Sequence, residues 1–204
     1  MAYSPVAKRR GIDTSVTRDR VLEAAEDLIM SGEFAQATVA DLADKAGVAR
    51  ATVFSRFGSK LGVLETLAVR CSGGPTMRAI REAQALVDDD PVGALRAVVT
   101  ASCDHWELQG HILVTLKAVA ELEPGAIDMI DDQRRDQRGT MERIARGLDE
   151  QGRLGELSRP QAASAMHLIT SVESFIELRR NAGLSLNATK KVMMAMVEGL
   201  FDLD

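Results

Sequence analysis

Apolar residues recur along this chain at intervals of three and four almost throughout, which predicts helices and leaves little room for strands, whose period is two. From Thr17 to Ser31, the positions Val21, Leu22, Ala25, Leu28 and Ile29 form a wide stripe that stops before Gly32, as a first helix would. Phe34 is placed to plug the loop that follows. Val39, Leu42, Ala43 and Ala46 give a short second helix one apolar face, with Thr38 at its N-cap and Gly47 as its stop. Ala49 to Phe57 contains no Gly or Pro and sets Val53 and Phe57 on one inward face, so a third helix follows after a very short turn.

Beyond Gly58 the pattern continues. Ser59 is positioned to cap a fourth helix carrying Val63, Leu64, Leu67 and Ala68, which Ser72-Gly73-Gly74 ends. Pro75 and Pro91 suit first helical positions. They open one helix through Met77, Ile80, Ala83, Ala85 and Leu86, and another through Leu95, Val98, Val99, Ser102 and Trp106 to Gly110, with Asp88-Asp89-Asp90 between them. His111 to Glu123 predicts a separate helix buried on several sides and ended by Pro124-Gly125. A long charged helix is predicted over Ala126 to Gly152, with Ile127, Ile130, Met141, Ile144, Ala145 and Leu148 as its sparse apolar positions. Two helices rich in Ala, Met, Ile and Leu close the chain, from Arg159 to Asn181 and from Leu186 to Leu203.

Composition supports the helical pattern. The chain has 204 residues, of which 46% are hydrophobic but only 3% aromatic, which suits one or two helical domains better than a β-sandwich. No run approaches the roughly 18 apolar residues of a membrane span, and no apolar stretch follows the N-terminal charges. Neither a membrane helix nor a secretory signal is therefore expected, and the protein is placed in the cytoplasm. Cys71 and Cys103 lie far apart with no metal-ligand spacing, so no disulfide framework, zinc site or cofactor is expected. The net charge of −5 at first argues against a nucleic-acid partner. Its distribution removes the objection: residues 1–60 carry nine basic and eight acidic side chains, and the window from Lys45 to Leu64 holds Lys45, Arg50, Arg56 and Lys60 without an acid. Residues 1–16, with Lys8, Arg9 and Arg10, form a basic arm that either touches DNA or serves as a solubilising tail.

Thr38 to Lys60, TVADLADKAGVARATVFSRFGSK, thus carries two short helices joined by a tight Gly-containing turn. That is a helix-turn-helix, whose second helix lies in the DNA major groove. A first helix, TVADLADKAGV, ATVFSRFGSK and a wholly helical remainder of this length together resemble the TetR family of bacterial transcription repressors. The motif match spans residues 17–64; the rest resembles the family only in helical layout and length. The resemblance implies an all-α fold of nine to ten helices, with a three-helix DNA-binding domain over 17–62 and a ligand-binding and dimerisation bundle over 63–204. It also implies a homodimer that grips a palindromic double-stranded DNA operator and releases it when a small molecule enters the bundle.

On these positions the DNA contacts fall to Thr38, Arg50, Ala51, Thr52, Phe54, Ser55, Arg56 and Lys60. Arg50 and Thr52 are the candidates for base edges, while Thr38 and Lys60 would hold the phosphate backbone. Phe54 stands where the family has Tyr, and Arg56 where it has an aromatic or His, so a guanidinium replaces the phenol as phosphate ligand. Cys103, His105, Trp106, His111 and Thr115 are the candidate effector contacts, in a mostly aliphatic cavity suited to an apolar molecule. Ala162, Met166, Ile169 and Ile176 on one C-terminal helix, with Met193, Met196, Val197 and Leu200 on the other, exceed what a terminal hairpin needs and predict a symmetric four-helix dimer interface. A membrane-surface role is opposed by Glu198, Asp202 and Asp204. Cys103, Asp104 and His105 are neighbours along a helix and so point in different directions, and neither they nor His111 come with a nucleophile elbow or phosphate loop, so no enzyme is expected. The rival readings are a helical DNA-binding protein without an effector, and an activator.

Overall fold

The computed structural model describes residues 14–120 and 127–204. The basic arm at Lys8, Arg9 and Arg10 and the expected stop at Pro124-Gly125 lie outside these residues. Every regular element among the described residues is helical: α1 (Thr14–Met30), α2 (Val39–Ala46), α3 (Arg50–Phe57), α4 (Lys60–Ser72), α5 (Pro75–Ala85), α6 (Pro91–Ala120), α7 (Ile127–Glu150), α8 (Arg159–Ile169), α9 (Val172–Ile176) and α10 (Leu186–Leu200). The chain forms two compact units that divide between Leu67 and Ala68, inside α4. No described helix is long and apolar enough to cross a membrane.

In the first unit α1 packs on α2 and α2 on α3. Val21, Leu22, Ala25, Phe34, Leu42, Ala43, Val53, Val63, Leu64 and Leu67 are all buried, so the apolar stripes read from the sequence make this core. Phe57 is only half-buried, which leaves Val53 as the buried anchor of α3. Thr38 and Asp41 close a capping box: the Thr38 amide and hydroxyl donate to Asp41 Oδ2 (2.8 and 2.7 Å), and the Asp41 amide donates back to Thr38 Oγ1 (3.2 Å). At the other end of α2, Gly47 adopts a φ of 62°, a left-handed conformation that a side chain would strain, and Arg20 of α1 donates to its carbonyl (3.2 Å).

The second unit is built on α6, which packs against α5, α7, α9 and α10, while α7 and α10 also pack on α8. Asp90 caps α6 through the Gly93 amide (2.8 Å), so the acidic break doubles as a helix start. Three expected boundaries are corrected. The helices expected on either side of Gly110 are one 30-residue helix, α6. Gly110 is there for packing: a Cβ on it would lie 3.2 Å from Val172 Cγ2, so its lack of a side chain admits α9. Conversely, the single helix expected from Arg159 to Asn181 breaks at Thr170-Ser171 into α8 and α9, and α9 continues as a π-helical turn, Glu177–Asn181. Ser171 causes the restart by accepting from the Ser174 amide (3.1 Å), and the Trp106 indole satisfies the freed Thr170 carbonyl (2.9 Å). The last helix also ends three residues early, at Leu200 rather than Leu203.

Candidate nucleic-acid interface

Helix α3 is short and polar outside its anchor. Arg50, Ala51, Phe54, Ser55 and Arg56 are exposed and Thr52 is half-buried, so six of the eight residues expected to meet DNA lie on one helix, while Thr38 and Lys60 lie outside it. Its N-cap, Ala49, makes no side-chain cap, which leaves first-turn amides for solvent or a phosphate. Arg50 stacks on Phe54, its Cζ 5.2 Å from the ring centroid. The Ser55 hydroxyl turns back onto the helix and donates to the Thr52 carbonyl (3.1 Å), which shortens its reach.

Two expected phosphate ligands prove to be committed elsewhere. The Lys60 ammonium donates to the carbonyls of Phe34, Ala35 and Ala37 (3.1, 2.9 and 3.0 Å) and lies 5.2 Å from the Phe34 ring centroid. An ammonium has a donor for each of these, so Lys60 closes the loop between α1 and α2 and has no N–H left for DNA in this state. Thr38 caps α2, and the Asp41 carboxylate fills the helix start where a phosphate was expected. That carboxylate is held below its ordinary pKa, first by the Thr38 backbone amide and then by its hydroxyl, so a negative charge stands at the site.

The effector candidates separate in the same way. Within the second unit a cavity of about 110 Å³ is lined by Cys71, Met77, His105, Trp106, Gln109, Ile112, Leu113 and Leu116, among others. Of the expected residues it takes His105 and Trp106. His111 and Thr115 are half-buried on α6 and do not line it. Cys103 is fully buried with its Sγ 3.4 Å from Met193 Sδ, a core position rather than a wall, and burial pushes its thiol up to about 11. His105 shares a hydrogen bond with the Thr76 hydroxyl (3.0 Å) and meets Trp106 edge-on, and burial pulls its imidazole down to about 4. Asp104 pairs with Lys190 (2.6 Å), so Cys103, Asp104 and His105 each face a different partner. The missed wall residues Gln109, Leu113 and Leu116 continue the face of Trp106 at helical spacing, a pattern hidden once α6 is divided at Gly110. A larger, open cleft of about 620 Å³ between α7 and α8 is lined by Arg138, Arg143, Arg146 and Arg159, two of which pair with Asp88 and Asp149 (both 2.7 Å).

The expected dimer face also needs correction. Ala162, Met166, Ile169, Met193 and Val197 are buried within the single chain, in the core that α6, α8 and α10 share, so they cannot also form an interface. Ile176 is half-buried. Met196 (42%) and Leu200 (41%) are exposed, as is Leu168 (63%), which the sequence pattern did not single out. Most of the stripe taken for an outward face is the inward side of α8 and α10.

These features define an all-helical protein whose first unit is a helix-turn-helix with an exposed basic second helix. Residues 21–67 match the family described as bacterial regulatory proteins, tetR family. Over those residues the chain resembles that family. It is similar to the HTH-type transcriptional regulator AlkX of Mycobacterium tuberculosis, 36% identical over 28% of this chain and 26% of that protein. It is likewise similar to the HTH-type transcriptional regulator BetI of Stenotrophomonas maltophilia, 30% identical over 62% of this chain and 66% of that one. The match thus spans about a quarter of the first relative's length and just under two thirds of the second's. Among solved structures, the TetR family regulator PfmR of Thermus thermophilus is 25% identical with a TM-score of 0.72, covering 89% of this chain and 99% of its own. A regulator from Saccharomonospora viridis in complex with choline shares the fold at 19% identity and a TM-score of 0.70, covering 92% and 98%.

Proposed function

We propose that this protein is a transcriptional repressor that binds a palindromic operator as a homodimer and leaves it when a small apolar molecule binds the helical bundle. Residues 17–62 serve as the DNA-binding domain and 63–204 as the regulatory and dimerisation domain. The observation that carries this function is α3: a helix anchored by buried Val53 that turns Arg50, Thr52 and Arg56 outward after a tight left-handed glycine turn. Arg50 and Thr52 read base edges and Arg56 binds phosphate, while Lys60 and Thr38 hold the reading head in shape. The choline bound in the Saccharomonospora viridis regulator supports a small-molecule site on this fold. Here the Trp106 cavity is the candidate; at about 110 Å³ it is smaller than the roughly 300 Å³ where drug-sized pockets begin, so it takes a small ligand or part of a larger one. Leu168, Met196 and Leu200 supply the exposed apolar face that a second copy would cover.

The test is a gel-shift titration of duplexes from the DNA flanking its own gene, run with and without hexanol, decanoate or choline. A saturable shift that at least one of these compounds reverses is expected. A shift that no compound on a wider apolar panel alters would leave a DNA-binding protein without an effector. Sedimentation should give a dimer that Met196→Glu with Leu200→Glu converts to monomer.

A further inference from the structure

Phe54 is 43% exposed on the outward side of α3, a large apolar ring on a surface otherwise made of polar, basic and small side chains. It contributes little to the core, which Val53 anchors. Its neighbour one turn back is Arg50, whose guanidinium lies over the ring at 5.2 Å and has no hydrogen bond or ion pair among the described residues. Stacking uses the flat face of a guanidinium and leaves its N–H edges open. A guanidinium held this way is prepared to donate to guanine O6 and N7, the commonest specific contact in the major groove. The ring beside it needs an apolar partner, and the base edges of that groove offer one, the 5-methyl group of thymine. Residues one helical turn apart stand about 5–6 Å apart at Cβ, a separation that lets two long side chains meet neighbouring base pairs. A Tyr at this position would carry a hydroxyl toward a phosphate; Phe has none to offer.

We infer that Arg50 and Phe54 act as one reading unit for a thymine adjacent to a guanine in each operator half-site, the guanidinium taking the guanine and the ring packing on the thymine methyl. The inference rests on α3 being the DNA-reading helix and adds which base step it reads. Phe54 is then a specificity-determining residue through a methyl group alone.

Deoxyuridine tests this directly, because it removes the methyl and keeps every hydrogen-bonding group. The full chain is used to select a duplex from random sequence, and each thymine of the selected half-site is replaced in turn. At one thymine beside a guanine, in both half-sites, the replacement should weaken binding about fourfold per half-site, the effect of one buried methyl. Phe54→Ala should bind the thymine and deoxyuridine duplexes equally, and Phe54→Tyr, which keeps the ring, should retain the preference. Circular dichroism and retained binding to nonspecific DNA show that the variants are folded. If no thymine responds by more than about twofold while the chain still enriches a duplex and Arg50→Ala still weakens it, the thymine contact is wrong and the reading helix stands. If no duplex is enriched at all, the DNA-reading role of α3 falls with it.

Discussion

Lys60 shows how one side chain can pass for a ligand and serve as a clamp. In the sequence it is a cation just past a recognition helix, which suits a phosphate contact; in the fold its ammonium gathers the carbonyls of Phe34, Ala35 and Ala37. Lys60→Met should therefore lower stability by about 1–2 kcal/mol in denaturant unfolding. It should leave the salt slope of DNA binding unchanged, whereas losing a phosphate contact lowers that slope by about one. His105 makes a second residue-level prediction. Its folded pKa of about 4 lies below the ordinary value of 6.5, so between these pH values the unfolded chain binds a proton that the folded chain does not. The native state loses stability as pH falls from 6.5 toward 4, by up to about 3 kcal/mol for this group. Chemical denaturation at pH 7 and pH 5 should show that loss in the wild type and less of it in His105→Gln.

At the scale of elements, start and stop chemistry decided what could be read from the sequence. The caps at Thr38 and Ser59 and the prolines at Pro75 and Pro91 announce their helices locally, because a short polar side chain or a fixed φ acts within one turn. Gly110 and Ser171 carry the same local chemistry with opposite outcomes. Gly110 sits inside α6 because α9 approaches it, a long-range contact that no local pattern displays. Ser171 ends one helix and begins another because its hydroxyl finds the Ser174 amide and Trp106 satisfies the carbonyl left behind. The candidate site follows the same division: the outward-facing residues of α3 were legible from spacing, whereas the commitment of Lys60 and the walls of the Trp106 cavity depend on segments distant in sequence. Gly110→Leu separates the two roles of that glycine. As a packing site it should lose about 1–3 kcal/mol of stability; a mere helix interruption should gain up to about 1 kcal/mol from better propensity.

Over the whole molecule, charge is divided unequally. Residues 61–204 carry sixteen basic and twenty-two acidic side chains, a net of −6 against +1 for residues 1–60, while the segment from Lys45 to Leu64 holds no acid. Such a protein gains less from nonspecific attraction to DNA than a basic one would, so on the proposed reading recognition rests on a few contacts from α3. The central claim, that α3 reads DNA through Arg50 and anchors through Arg56, is tested most directly by fluorescence titration of the wild type, Arg50→Ala and Arg56→Ala against a selected duplex and a scrambled one across salt concentrations. Arg50→Ala should erase most of the preference between the two duplexes, and Arg56→Ala should weaken both equally and lower the salt slope by about one. Wild-type affinity, preference and salt slope in both variants would contradict it.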